Sequence, residues 1–374
     1  MSVVDALKDR GFFNQCSDEP GLREHLDTAL RTFYIGFDPT GDSLHVGHLV
    51  QLMAMAHLAR AGHHPIAVVG GGTAKVGDPS GKDATRELLD DVRLEANKAA
   101  IAAQIGRFCT GRMVDNADWL LPLNYIGFLR DIGRYFSINE MVAAEGVKLR
   151  LDREQGLSFI EFNYVLLQSY DFLELFRRHN CTLQVGGGDQ WYNIVHGLSL
   201  IRRVAHGNAF ALTTPLLTTS SGAKMGKTAA GAVWLDAGKL SPFDYRQYWY
   251  NCEDADVGRF LKLFTFLPLA EIDALERGDI RAAKKVLADE ATAIVHGRLE
   301  AKLEDNIPVF QTELPRLVVD VLVASGLATS KGEARRAIDN GGVRIGDAKV
   351  VTWETLVTTP AIVWVGKKRA VRVE

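Results

Sequence analysis

Three observations predict an α/β fold built on a parallel sheet. The segment RTFYIGFD reads as a buried strand, PTGD as its turn, LHVGHLVQLMAMAHLARAG as a helix and PIAVVGGG as a second strand, all within about forty residues. Strand, helix, strand at that length is a βαβ unit, so the strands run parallel and ligands gather at their carboxyl ends. Farther on, CTLQVGGGDQ reads as another strand ending in glycines, with the helical WYNIVHGLSLIRR behind it. Finally, 374 residues at 47% hydrophobic and 24% charged suffice for two or three globular domains with at least one large core.

Taken in order, Ser43 is a suitable N-cap for the first helix, which is expected to end at Gly62. A long helix is expected over roughly residues 83–108. The stretch LSFIEFNYVLLQSYDFLELFRR is apolar nearly all round and is expected as one buried helix. Beyond a glycine-flanked loop at residues 220–228, helices are expected from Pro242 to about Gly297, and EDNIPVFQTELP reads as a linker. Next come the apolar helix RLVVDVLVASG, a capping box of Ser330 and Glu333 ahead of ARRAID, and a small sheet from NGGVRI and the alternating tail. The scheme is therefore a parallel-sheet domain at 1–232, a helical domain at 233–304, a linker at 305–313 and a small α+β domain at 314–374.

Composition excludes several classes. Cys16, Cys109, Cys181 and Cys252 are far apart with no C-x-x-C pair, which indicates neither a zinc site nor a disulfide framework and fits a reducing compartment. The opening MSVVDALKDRGFFNQ has neither an apolar signal core nor an Arg-rich transit pattern. No run approaches the ~20 apolar residues that span a bilayer, so a cytoplasmic protein without a membrane partner is expected. Net charge is −3, but Ser325–Glu374 carries nine Lys/Arg against five Asp/Glu while the rest carries 34 against 41. An acidic body with a basic end suggests a polyanion contacted there; ordinary fluctuation in a short segment is the alternative.

Chemistry is concentrated in a few motifs. SSGAKMGKT looks like a phosphate-binding P-loop, yet only three residues separate Gly222 from Gly226 where a P-loop needs four between its glycines, and no periodic helix follows. It reads instead as a loop carrying Lys224 and Lys227. His45-Val-Gly-His48 sits in the first turn of the first helix, where imidazoles three apart face one ligand and the helix N-terminus favours anions. Gly47 leaves that helix surface flat enough for a planar base. A metal pair, though no third ligand stands nearby, and a merely packed pair are the alternatives. Tyr164, Gln168 and Asp171, at i, i+4 and i+7, form one polar stripe on an otherwise apolar helix. Such a stripe is either solvated or meets a polar ligand, with Tyr164 and Gln168 near an ammonium and Asp171 accepting from a phenol.

YIGFDPTGDSLHVGHL together with KMGKT resembles the two signatures of class I aminoacyl-tRNA synthetases. GDPSGK, YVLLQSYDF and GGGDQW make the chain similar to bacterial-type tyrosyl-tRNA synthetases in particular. The resemblance implies a Rossmann-like catalytic domain, an α-helical anticodon-side domain and a small S-four-like RNA-binding domain. It implies a tyrosine site completed by Asp78 and Gln190, with Tyr34 sharing the phenolic hydroxyl with Asp171. On the phosphate side it implies Lys224, Lys227 and Thr228 at the pyrophosphate with Lys82 and Arg86, and Thr40 and His45 at the γ-phosphate with His48 nearby. Asp38 and Asp189 are implied at the adenosine or adenylate, with Gly36 and Gly187 allowing close approach beside Gly47. In the end domain Lys331, Arg335 and Arg336 are expected on RNA phosphates, a solvated helix face being the rival reading.

The implied partners are L-tyrosine, ATP with Mg²⁺, tRNA(Tyr) and a second copy of the chain, with no tightly bound cofactor and no metal held by the protein. Activation needs no general base, because the tyrosine carboxylate is already ionised; positioning and charge stabilisation on the phosphates do the work. Buried groups awaiting a phenol reject phenylalanine by ~10⁵, the magnitude for which tyrosyl-tRNA synthetases are themselves the standard example. Ile35, Gly188 and Tyr192 depart from the family pattern, Tyr192 replacing a common glycine beside the adenylate. A tryptophanyl-type synthetase shares the fold and both signatures. A non-catalytic RNA-binding scaffold is the rival of another class, and predicts loss of His45, His48 or the lysines, all of which are present.

Overall fold

The computed structural model describes residues 2–78, 90–108, 110–153, 156–220, 222, 225, 227–228, 231–297, 307–346, 348–366 and 369–374. The chain divides into two compact units, Met1–Lys239 with Cys252–Leu287, and Leu240–Asn251 with Ala288–Glu374.

The first unit is α/β. Its sheet comprises β1 (Gln15–Cys16), β2 (Thr32–Phe37), β3 (His64–Val69), β4 (Arg112–Asp115), β5 (Cys181–Gly187) and β6 (Phe210–Thr214), in the order β1-β6-β5-β2-β3-β4. All neighbours are parallel except the edge pair β1 and β6. β2 is central and its Phe33, Tyr34, Ile35 and Phe37 are all buried, which is why it reads as an apolar run rather than an alternation. The chain builds outward from β2 to β3 and β4 on one side, and to β5 and β6 on the other. That reversal places a crevice outside the carboxyl ends of β2 and β5, where parallel sheets hold ligands.

The helix Val46–Arg60 behind β2 is buried on nearly every face, from Val46 and Leu49 to Leu58. Its N-cap is His45, not Ser43 as the sequence suggested. Ser43 is buried and turns its hydroxyl to the Leu44 carbonyl, 2.8 Å away. The next helix runs Asp91–Ile105 with Asp90 as cap, shorter than the expected 83–108; residues 79–89 lie outside the described set. The stretch expected as one buried helix is two, Phe159–Phe162 and Tyr164–His179, the first closed by a Ser158–Glu161 capping box. The helix Trp191–Ala205 follows β5 as expected.

In the second unit, Ala348–Lys349, Val343–Ile345, Ala361–Val365, Arg369–Val373 and Val309–Phe310 form a five-stranded sheet in that order. Val309–Phe310, inside the stretch read as a linker, pairs parallel with Arg372–Val373. The helices Val318–Ala324 and Lys331–Asp339 supply Val318, Leu322, Ala334 and Ile338 to the core that this sheet shares. Ser330 caps the second helix by accepting from the Glu333 amide, 3.2 Å away. The Glu333 carboxylate, however, reaches the Thr329 amide at 2.7 Å rather than that of Ser330, so the expected box is displaced by one residue.

Candidate active site

A cleft of about 550 Å³ opens at the carboxyl ends of β2, β3 and β5. Gly36, Asp38, Thr40, His45, His48 and Gly187 line its outer part, and Tyr34, Asp78, Tyr164, Gln168, Asp171 and Gln190 its inner part. Asp189 lines it beside Gly187. Residues separated by 156 positions thus share one cavity because the parallel strands end together.

The outer end is built on the first turn of Val46–Arg60. His45 Nδ1 accepts from the Gly47 amide at 3.0 Å, and His48 Nδ1 accepts from the His45 amide at 3.2 Å. The two imidazoles therefore cap the helix reciprocally, with ring centroids 4.1 Å apart. A nitrogen that accepts carries no proton, so each neutral ring carries its proton on Nε2, beside the positive helix end. Phosphate oxygens, which only accept, are the matching partners. Gly47 has a reason beyond a flat surface: a Cβ there would sit 2.7 Å from the His45 ring, blocking the fold-back that makes the cap.

At the inner end Asp171 is buried. Its Oδ1 accepts from Trp119 Nε1 at 2.7 Å and its Oδ2 from Asn116 Nδ2 at 3.0 Å. Burial pushes its carboxyl up to about 7, against the two hydrogen bonds that favour the ion. Tyr34 is also buried, with a hydroxyl that has no hydrogen-bond partner among the described residues. Burial, and then the neighbouring Asp171, hold that phenol well above its usual range, so it stays a neutral donor. A buried acceptor and an unpartnered buried donor facing one cavity suit a ligand hydroxyl that donates to one and accepts from the other.

Between the two ends, Tyr164 donates its hydroxyl proton to Asp38 Oδ2 at 3.0 Å, and Thr73 donates to Asp38 Oδ1 at 2.7 Å. Having given its proton to Asp38, Tyr164 Oη can only accept from a ligand, which suits an ammonium. Asn193 Nδ2 donates to Gln168 Oε1 at 3.0 Å and Gln190 Nε2 to Asp78 Oδ2 at 2.8 Å. Asn193 Nδ2 also reaches Gln190 Oε1 at 3.3 Å, so Asn193, Gln168, Gln190 and Asp78 form one hydrogen-bonded chain. The polar stripe on Tyr164–His179 therefore lines a cleft and is not a solvated face.

The chain around the lysine loop is tied to the histidine turn. Val46 N donates to Val233 O and Leu235 N to Leu44 O, each at 2.9 Å. The Lys227–Thr228 backbone pairs with Gly231–Ala232. Lys82, Arg86 and Lys224 lie outside the described residues, as do the side chains of Lys227 and Thr228. Asn116, Trp119, Thr73, Asn193 and Gln184 were missed from sequence, although Gln184 is paired in register with Tyr34 and lines the cleft. Asn116 and Trp119 directly follow β4, a short half-exposed strand with weak apolar signal; recognising it would have placed them at a ligand-binding strand end. Tyr192 turns away from the cleft, its hydroxyl donating to the Glu140 carbonyl at 3.1 Å and its ring lying 4.2 Å from that of His196. In the second unit Lys331, Arg335 and Arg336 are exposed; Lys331 pairs with Asp320 at 2.7 Å, and the Arg335 guanidinium lies 4.7 Å from the Trp353 ring centre.

Known proteins similar to this chain fall in one family. The family of class I tRNA synthetases (W and Y) matches residues 28–307, and the SYY-like C-terminal domain of tyrosine–tRNA ligases matches residues 299–363. The tyrosine–tRNA ligase of Nitrobacter winogradskyi is 51% identical over 96% of this chain and 92% of its own. That of Desulfosudis oleivorans is 47% identical over 99% of this chain and 98% of its own. Among solved structures, a C-terminally truncated mitochondrial tyrosyl-tRNA synthetase of Aspergillus nidulans superposes with a TM-score of 0.71 at 31% identity, covering 79% of this chain and 90% of that one.

Proposed function

The chain belongs to the tyrosine–tRNA ligases of the class I tRNA synthetase family, and from that premise we propose how its cleft divides the work. The reaction is tyrosine activation by ATP, releasing pyrophosphate, and then transfer of tyrosine to the 3′ end of tRNA. The observation that carries the site reading is the inner end: one buried carboxylate and one unpartnered buried phenol, Asp171 and Tyr34, on a single cavity. The substrate phenol donates to Asp171 and accepts from Tyr34. Its ammonium lies against Tyr164 Oη, Gln168, Asp78 and Gln190, and its carboxylate points toward the histidine turn.

ATP enters as its Mg²⁺ complex, with adenosine against Gly36, Asp38, Gly187 and Asp189 and the phosphates at Thr40, His45 and His48. A tyrosine carboxylate oxygen attacks the α-phosphorus, and the bond to the bridging oxygen breaks as pyrophosphate leaves. Charge moves onto that pyrophosphate, where Lys82, Arg86, Lys224, Lys227 and Thr228 are proposed to act; cations matched to developing charge lower the barrier without proton transfer. The terminal ribose hydroxyl of the tRNA then attacks the adenylate carbonyl and AMP leaves. Amino-acid-dependent pyrophosphate–ATP exchange without tRNA tests the site: exchange with tyrosine is expected, and comparable exchange with tryptophan would overturn the Asp171–Tyr34 reading.

The domain scheme serves tRNA. Residues 233–304 are proposed to face the anticodon side, with 314–374 as the S-four-like RNA-binding end and the cytoplasm as the compartment. Because residues 240–251 belong to the same compact unit as 288–374, substitution tests this better than truncation. Changing Lys331, Arg335 and Arg336 together to alanine is expected to raise the KM for tRNA severalfold and flatten its salt dependence, since each lost phosphate contact removes about one unit of slope. Exchange without tRNA is expected to be unchanged; an unaltered tRNA KM would exclude this face.

A homodimer is proposed as well. Leu121, Tyr125, Ile126, Ile138, Phe159 and Ile160 are large apolar side chains left exposed within forty residues of sequence. Contiguous exposed apolar patches mark interfaces, and these residues are proposed to form one. Sedimentation at micromolar concentration is expected to show a dimer that Phe159→Asp weakens; a purely monomeric parent chain would remove this reading.

A further inference from the structure

We propose that Asp256, together with Arg259, is a positioning pair for the activation step, fixing the chain that leads into the lysine loop. The proposal rests on the reading of that loop as the pyrophosphate clamp. Asp256 occupies the N-cap position of the helix Val257–Phe264, yet its side chain makes no bond to that helix's own amides. It closes the 3₁₀ turn Asp254–Asp256 with helical dihedrals, φ −92° and ψ −16°, so its carboxylate is not aimed at those amides. Here the carboxylate, 3% exposed, turns outward to another segment.

Its Oδ2 accepts from the Ser220 amide at 3.0 Å and lies 3.3 Å from Ser220 Oγ. Its Oδ1 accepts from Arg259 Nη2 at 3.0 Å. Arg259 also donates to the Thr218 carbonyl, and Glu253 Oε2 accepts from Ser220 Oγ at 3.0 Å. Thr218 and Ser220 are thus held from both sides of their backbone, one by its carbonyl and the other by its amide. A buried carboxylate whose hydrogen bonds go to Arg259 and to a segment 36 positions away fixes that segment against the helix.

The position in the chain gives the constraint its purpose. Leu216, two residues before Thr218, lines the cleft, and the Met225 amide donates back to the Leu217 carbonyl at 2.9 Å. The Met225 carbonyl lies 3.9 Å from where a Cβ on Gly47 would stand. After the loop, the backbone is tied to the histidine turn through Val233 and Leu235. The outgoing side of the loop is therefore fixed by the turn that meets the phosphates, and the ingoing side by Asp256 and Arg259. Reacting groups misplaced by about an ångström lose up to roughly a hundredfold in rate, so slack at Ser220 is felt at the lysines.

The test uses the full chain with Asp256→Asn, Arg259→Lys and Ser220→Ala, alongside Lys227→Ala. Pyrophosphate exchange is measured per titrated active site, with equilibrium binding of tyrosine and thermal unfolding. Asp256→Asn is expected to lower kcat roughly ten- to hundredfold and to raise the KM for ATP and pyrophosphate, leaving tyrosine affinity unchanged. Ser220→Ala, at an exposed position, is expected to move the same constants by less, and Arg259→Lys to keep part of the rate. A lower unfolding temperature with normal constants per active site would reduce the pair to a structural role and overturn the proposal. Normal exchange by Lys227→Ala would instead defeat the reading of the loop, whereas a slow Lys227→Ala beside normal Asp256→Asn and Ser220→Ala would defeat the positioning pair alone.

Discussion

Asp171→Asn is expected to lower kcat/KM for tyrosine by roughly 10²–10³ and to shrink the preference over phenylalanine by a similar factor. The substitution removes a charge-assisted hydrogen bond to the substrate phenol and leaves that phenol buried with one partner fewer, together about 3–4 kcal/mol. Phenylalanine has no hydroxyl to lose, so its kcat/KM falls little. The pH dependence follows from the same residue. Burial raises the Asp171 carboxyl from 3.8 to about 7, and only the ionised form accepts from the phenol without a competing proton. Activation of tyrosine at limiting concentration is therefore expected to rise with pH through about 7 and level off above it. For folding the sign is opposite. A carboxyl whose folded pKa is raised holds its proton in the folded state while the unfolded chain releases it, so it costs stability progressively from about pH 4 to 7. Asp171→Asn removes that cost, and its unfolding temperature relative to the parent is expected to improve from pH 5 to pH 8. A flat kcat/KM profile for tyrosine in the parent enzyme, or an unchanged tyrosine-to-phenylalanine ratio in the variant, would show that another group reads the phenol.

How far the sequence reveals this site depends on where each contribution is encoded. The βαβ unit, the histidine turn and the Tyr164, Gln168, Asp171 stripe are legible because each is carried by periodicity or spacing within one element. The partners of those residues are not. Asn116 and Trp119 meet Asp171 from 55 and 52 positions away, and only the order of the strands brings them there. The cap of the first helix was misplaced because propensity favours serine over histidine; the pair His45 and His48 overrides it by capping reciprocally. Tyr192 follows the same logic, since a tyrosine in place of the family's glycine looks like an intruder in the cleft. The turn of its helix instead carries the ring toward Glu140 and His196. Asp256 carries no sequence signal of its own, and its contact with Ser220, 36 positions away, appears only in the fold.

His45→Ala is expected to slow adenylate formation by about 10²–10³ with little change in tyrosine affinity, a loss typical of removing one donor from a developing oxyanion. The geometry gives His45 two duties that a single alanine cannot separate. Its Nδ1 caps the helix through the Gly47 amide, which is worth about 1 kcal/mol, while its ring lines the cleft, where Nε2–H is proposed to meet the phosphates. His45→Asn divides them. Asparagine is among the best capping residues, so the unfolding temperature is expected to return close to that of the parent. Its shorter side chain, with its oxygen turned to the Gly47 amide, does not extend as far as Nε2, so the rate stays low. His48→Asn is expected to behave in the same way on a smaller scale, because its Nδ1 bond to the His45 amide is the other half of the cap. Stopped-flow measurement of adenylate formation, paired with thermal unfolding of the same preparations, reads both duties at once. If His45→Asn recovered rate and stability together, the histidines would be acting as caps, and the phosphates would have to be held by the lysine loop alone.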